Sequence, residues 1–125
     1  MRDLTILLVD DERSLAQGLA RLLGRDGHTV DVVANGCLAL AKLDERVYDL
    51  ILSDIRMPEL DGPGLYRILQ HQRPHLCQRL IFLTGDTLEP TTLAFLKASG
   101  VPCLTKPFTL NEVRHAIQHA VRPES

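Results

Sequence analysis

Leu50-Ile51-Leu52-Ser53-Asp54 is a short apolar run closed by a carboxylate, and Met57-Pro58 and Asp61-Gly62 follow it at once. A run this short does not fill a helix, and with turn residues behind it the segment reads as a buried strand of a parallel sheet. Asp54 then stands at the carboxyl end of the strand, where open α/β sheets bind ligands. The same pattern opens the chain, where Ile6-Leu7-Leu8-Val9 runs into Asp10-Asp11-Glu12. Carboxylates crowded at neighbouring strand ends repel one another, and a bound cation would relieve that repulsion. Two further runs end in polar residues: Leu80-Ile81-Phe82-Leu83 in Thr84-Gly85, and Val101-Pro102-Cys103-Leu104-Thr105 in Lys106-Pro107-Phe108.

Helical spacing fills the intervals. Leu15, Leu19, Leu22 and Leu23 predict an amphipathic helix over about residues 13 to 25, stopped by Gly27. His28 to Val33 alternates polar and apolar and reads as a strand nearer the sheet edge. A second helix over about Gly36 to Glu45 precedes the third strand, Tyr48 to Ser53. Gly62-Pro63-Gly64 opens a third helix, which must end near Arg73 because Pro74 disfavours helical geometry in the residue before it. The fourth strand covers about Arg79 to Leu83. Pro90 is then a suitable first helical residue, and Gly100 closes that helix. Thr109-Leu110-Asn111-Glu112 has the form of a capping box, and the helix behind it turns Leu110, Val113, Ile117 and Val121 inward. Five alternations of strand and helix imply right-handed crossovers and a parallel sheet covered on both faces. The predicted architecture is an α/β, doubly wound (βα)5 fold with a five-stranded parallel sheet; if its strand order is 2-1-3-4-5, the flavodoxin-like order, Asp10, Asp11 and Asp54 come together.

The 125 residues suffice for one domain with a sizeable core, and a single domain over 1–125 is expected. A hydrophobic content of 45% with 24% charged residues is the balance of a globular protein. The net charge of −2 gives no basic footprint for direct nucleic-acid contact. No run approaches the roughly 18 apolar residues that span a bilayer, so no membrane contact and a cytoplasmic location are expected. Cys37, Cys77 and Cys103 form no close pair, as reduced thiols would. The tail Arg122-Pro123-Glu124-Ser125 reads as a frayed end or the start of a linker.

Asp10-Asp11 after the first strand, Asp54 after the third, Thr84 after the fourth and Lys106-Pro107 after the fifth resemble the receiver domain of two-component response regulators, across essentially the whole chain. The resemblance implies a phosphorelay function in which Asp54 accepts a phosphoryl group from the phosphohistidine of a histidine kinase or a histidine phosphotransfer protein. It implies Mg²⁺ as cofactor, held by Asp11, Asp54 and the backbone carbonyl of Arg56, with Asp10 acting mainly through water. An all-oxygen donor set suits that hard ion. Lys106 and the Thr84 hydroxyl would meet the phosphoryl oxygens, Gly85 would leave the approach open, and Lys106-Pro107 would be a cis peptide. Such a domain is a phosphoacceptor and not an enzyme beyond self-phosphorylation and slow self-dephosphorylation. It would signal to a downstream protein, and a dimer would use the face of the fourth helix, fifth strand and fifth helix.

Three positions qualify this picture. The family places an aromatic residue three before the lysine, and here that position is Cys103, so a smaller surface change on phosphorylation is expected. Arg56 and Asp86 stand two residues beyond Asp54 and Thr84, and by the resemblance they would flank the path of an attacking water and modulate the phosphorylated lifetime. Phe82-Leu83-Thr84-Gly85-Asp86-Thr87, Phe95-Leu96 and Lys106-Pro107-Phe108 look most like receivers of hybrid sensor kinases.

Each residue also has a plainer reading: Asp10 and Asp11 as a helix cap, Thr84 as a turn residue, Lys106 as a solvated charge. Polar residues at the ends of four strands are hard to explain jointly without a site. Two other functions compete on the same fold. A flavodoxin-like cofactor protein would want a hydroxyl- and glycine-rich phosphate loop where Asp10-Asp11-Glu12 stands. A small Mg²⁺-dependent phosphohydrolase would need an acid-base carboxylate where Arg56 stands. His115 and His119 lie four apart on a helix without an evident third ligand and read as solvated or partner-facing.

Overall fold

The computed structural model describes residues 3–57, 59–85 and 88–121. Five strands, β1 (Thr5–Val9), β2 (Thr29–Val33), β3 (Leu50–Asp54), β4 (Leu80–Thr84) and β5 (Cys103–Thr105), alternate with five helices. The helices are α1 (Arg13–Arg25), α2 (Gly36–Glu45), α3 (Gly62–Gln72), α4 (Pro90–Ser99) and α5 (Leu110–Val121). Every strand pairing is parallel, and the order β2-β1-β3-β4-β5 is the one the sequence predicts.

Successive side chains of a strand point to opposite faces, and here the two sets build two cores. Leu7, Val9, Ile51, Leu80 and Phe82 face α2 and α3 through Ala39, Leu43, Leu65 and Leu69. Ile6, Leu8, Leu50, Leu52, Ile81 and Leu83 face α1 and α5 through Ala16, Leu19, Leu23, Val113 and Ile117. β1, β3 and β4 are therefore buried on both faces. Each of these leucines and isoleucines contributes about 1.5–3 kcal/mol relative to exposure, far more than a register slip leaves intact. The outer strands are less enclosed, as the alternation in β2 and the shortness of β5 imply.

Local signals end the helices where expected. The Thr109 N–H donates to the Glu112 carboxylate at 3.0 Å and the Glu112 N–H to the Thr109 hydroxyl at 3.1 Å, a reciprocal capping box. Gly100, at φ 70°, supplies the left-handed cap of α4. Four details differ from the sequence reading. β3 begins at Leu50 instead of Tyr48 and runs through Asp54. A 3₁₀ segment, Pro74–Arg79, lies between α3 and β4 and seats Leu76 in the core. β5 begins at Cys103 instead of Val101, although the Pro102 carbonyl still accepts from Phe82 N–H at 2.9 Å. His28 precedes β2 and is buried, its Nδ1 accepting from the Leu4 N–H at 3.0 Å.

The loop between β3 and α3 is closed by Gly62, whose N–H donates to the Ile55 carbonyl at 2.9 Å. A Cβ at Gly62 would stand 2.8 Å from the Phe82 ring and 3.0 Å from the Ile55 backbone. Gly62→Ala is expected to lower stability by about 1–3 kcal/mol through overpacking, read as an earlier denaturant midpoint at unchanged slope. A midpoint equal to that of the parent protein would show that the loop has slack.

Candidate functional site

Strand register assembles the site. Val9 pairs with Ser53, so Asp10 and Asp54 come level at the carboxyl edge of the sheet. Asp54 pairs with Leu83 and Thr84 with Thr105, and the Lys106 N–H donates to the Thr84 carbonyl at 2.7 Å. Residues from all corners of the sequence thus end on one edge. Asp54 and Thr84 are the last residues of their strands, which fixes their backbones by ladder pairing and not by loop geometry.

Asp10, Asp11 and Asp54 each place a carboxylate oxygen within 4.8 Å of the others'. Asp10 and Asp54 are buried and Asp11 is exposed, so the cluster opens to solvent on one side. The Lys106 ammonium bridges the two buried acids, 3.3 Å from Asp10 Oδ2 and 3.4 Å from Asp54 Oδ2. The remaining oxygens are held by backbone: Asp10 Oδ1 accepts from Glu12 N–H at 2.9 Å, and Asp54 Oδ1 from Arg56 N–H at 3.2 Å. The helix-cap reading of the acids does not describe this arrangement. The N-cap of α1 is Glu12, which makes no side-chain cap bond, and Asp10 turns into the cluster.

The charges are in tension. Burial pushes the Asp54 carboxyl above its ordinary pKa, and Asp10 adds to the rise. Lys106 and the Arg56 N–H pull the other way without cancelling it. Burial alone would lower Lys106, yet Asp54 and Asp10 outweigh it and its pKa lies above the ordinary lysine value. Two buried acids and one lysine leave a surplus of negative charge beside an exposed third acid, which a divalent cation complements. The donors are all oxygen, with no histidine or thiol in the cluster, and that chemistry fits Mg²⁺ and does not favour zinc.

The other predicted residues fall around this cluster. Thr84 is buried, its hydroxyl donating to the Gly85 carbonyl at 3.3 Å. Gly85 is exposed, and a Cβ added there would meet nothing within 4 Å among the described residues. The Lys106–Pro107 peptide bond is cis. Cys103 is half-buried opposite Phe82, packed against the same core as Phe95 and Tyr66, and burial pushes its thiol upward. The Arg56 guanidinium comes 3.9 Å from Glu89, the N-cap residue of α4, with both side chains exposed. Asp86 lies outside the described residues.

Residues 6–118 match the family model of the response regulator receiver domain. The chain belongs to the receiver domain family. The receiver is 37% identical over 108 residues to the transcriptional regulatory protein TcrA of Mycobacterium tuberculosis, covering 86% of this chain and 42% of TcrA. It is 31% identical over 122 residues to the sensor kinase CckA of Brucella abortus, covering 96% of this chain and 13% of CckA. Its fold superimposes with a TM-score of 0.83 on the signal receiver domain of a histidine kinase from Syntrophus aciditrophicus, at 31% identity, covering 97% of this chain and 95% of that one. The chain therefore spans less than half the length of these two curated relatives. As a receiver it is a signalling domain of two-component systems, and neither a flavodoxin-like cofactor protein nor a phosphohydrolase is favoured. Among the described residues, no helix is long and apolar enough to cross a membrane.

Sequence reasoning missed some of what surrounds these residues. Ser53 is fully buried, and its hydroxyl donates to the Asp54 carbonyl at 2.9 Å, which fixes the strand end. A serine inside an apolar strand was the available signal. The Glu89 contact to Arg56 had none, because it joins two loops from different βα units.

Proposed function

We propose that this receiver accepts a phosphoryl group on Asp54 from the phosphohistidine of a histidine kinase or a histidine phosphotransfer protein. The observation that supports this best is the acid cluster itself, with Lys106 set between the two buried members. Asp10, Asp11, Asp54 and the Arg56 carbonyl are the residues that would hold Mg²⁺. When bound, Mg²⁺ supplies positive charge against the phosphoryl oxygens and the surplus acid.

An Asp54 oxygen attacks phosphorus, the bond from phosphorus to the donor imidazole nitrogen breaks, and that nitrogen keeps the electron pair. No base is required, because an ionised carboxylate is already the nucleophile. Positioning and charge are what the chain must supply, since phosphoryl transfer leaves little covalent work to the protein. Lys106 is already within reach of Asp54 and moves to the transferred group as a point charge. Thr84 exchanges its weak bond to the Gly85 carbonyl for a phosphoryl oxygen, and Gly85 keeps the entry clear. The new dianion thus rewards a second position of the β4–α4 loop, which is the switch. Water later removes the phosphoryl group slowly, and beyond this self-directed chemistry the domain is not an enzyme.

The whole of 1–125 is read as one receiver domain, in the cytoplasm, either standing alone or as part of a longer regulator or hybrid sensor kinase. Its output is a downstream protein partner, or a second copy docked on the face of α4, β5 and α5. Cys103 cannot swing a large ring between exposed and buried states, so this face changes less than an aromatic would allow. Beryllofluoride with Mg²⁺ should shift amide resonances near Asp54 and Thr84 and leave α4 and β5 nearly in place; large shifts there would refute the attenuation. By analogy with the family, Arg56 stands beside the path of the attacking water, so Arg56→Ala should shorten the phosphorylated lifetime. An unchanged hydrolysis rate would remove that role.

Incubation with acetyl phosphate and Mg²⁺ tests the reading. One labile phosphoryl group per chain supports the switch, whereas continuous turnover would support a phosphohydrolase.

A further inference from the structure

The chemistry at the sheet edge leaves one pair of metal-ligating side chains unused. His115 and His119 stand one turn apart on α5, their ring centroids 4.7 Å apart and their planes at 66°. Both are exposed, and among the described residues neither ring makes a hydrogen bond that would compete for its nitrogens. His71, by contrast, is bonded at Nδ1 to the Arg67 carbonyl. The helix beneath the pair is anchored. Val113 and Ile117 are fully buried on the opposite face, and Arg114 grips Asp26 through two 2.8 Å bonds. The spacing of the two imidazoles is therefore set by a fixed helix.

Among the described residues, charge on this face does not oppose a cation. Of the exposed described residues of α5, Asn111 and Gln118 are neutral, and the half-buried Arg114 is committed to Asp26 and Asn111. Glu112, one turn before His115, carries negative charge and is held in the capping box. Neutral imidazole nitrogen suits borderline divalent ions, whereas Mg²⁺ prefers oxygen, so this pair and the acid cluster select different ions.

Two imidazoles do not complete such a site. Zinc in structural sites takes four protein ligands in a tetrahedron, and among the described residues no third histidine, cysteine or carboxylate clusters with the pair. A second copy related by a two-fold axis beside α5 would supply the missing two, because an isologous contact presents the same residues twice. The geometry points to His115 and His119 as half of a site for a borderline divalent cation of the zinc class, completed by the same pair of a second copy of the chain. Metal then governs pairing of the α5 faces, independently of phosphoryl transfer to Asp54.

Zinc chloride titrated into the full chain, with Mg²⁺ in excess to occupy the acid cluster, tests this by light scattering and equilibrium dialysis. The expected result is a doubling of mass with one zinc ion for each pair of chains, reversed by chelator. His115→Ala and His119→Ala should each abolish it; both sites are exposed and alanine favours helix, so the variants keep the fold. Phosphoryl incorporation should be unchanged in both. Zinc bound by a monomer, a zinc-dependent dimer that persists in the variants, or no zinc uptake would each overturn the assignment.

Discussion

Asp54→Asn is expected to abolish phosphoryl incorporation from acetyl phosphate while raising the stability of the metal-free protein. The loss is complete because the amide has no ionised oxygen to attack phosphorus, and the exposed Asp11 does not occupy its position at the strand end. The gain in stability has a different origin. In the folded chain burial and Asp10 hold the Asp54 pKa above its ordinary value despite Lys106. A carboxyl whose folded pKa is raised binds its proton more tightly when folded, so stability falls as pH climbs through the unfolded and then the folded pKa. Asparagine escapes that loss and can still accept from the Arg56 N–H. The variant should exceed the parent by on the order of 1 kcal/mol at neutral pH, about 4 °C in melting temperature, with the gap closing in acid. A gap that widens in acid would show that Asp54 is a net stabiliser and that the acids are not in conflict.

Lys106→Ala should have the opposite effect on stability and a large one on chemistry. The ammonium is the shared countercharge of Asp10 and Asp54, and its removal leaves two buried carboxylates facing each other. Truncating one partner of a buried ionic cluster costs more than the cluster is worth, and about 2 kcal/mol is expected for this partly enclosed lysine. Mg²⁺ should restore much of that loss, because any ligand that binds only the folded state stabilises it by mass action. Phosphoryl incorporation should fall by roughly 10²–10³, the usual consequence of removing one preorganised charge from a developing anion. The raised lysine pKa fixes the pH window in the parent protein. Its contribution is full below the unfolded lysine value and disappears as pH rises through the higher folded one, so the parent loses this advantage only in alkali. A variant as stable as the parent without metal, and unaffected by Mg²⁺, would show that Lys106 is only a solvated surface charge.

Much of the fold and of the acid cluster is legible in the residues themselves. A strand buried on both faces must be apolar throughout, so Leu50-Ile51-Leu52 announces a strand, and the first charged residue after it marks the sheet edge. The capping box at Thr109 and the glycine cap at Gly100 are local chemistry and appear where the sequence puts them. The 3₁₀ segment Pro74–Arg79 is not legible, because a short turn with one buried residue, Leu76, has no periodicity to detect. Nor is the role of Lys106 in the unphosphorylated domain. Its ammonium meets Asp10 across 96 positions of sequence, and only the register of four strands brings them together. The bond from Leu4 to buried His28 is hidden for the same reason: nothing in either residue's neighbourhood specifies the other.

The most direct measurement is to treat the protein with acetyl phosphate and Mg²⁺, reduce the acyl phosphate with borohydride, and map the peptides by mass spectrometry. The account predicts homoserine in place of Asp54, absent when Mg²⁺ is chelated. An unmodified chain, or a modification at any other residue, would contradict it.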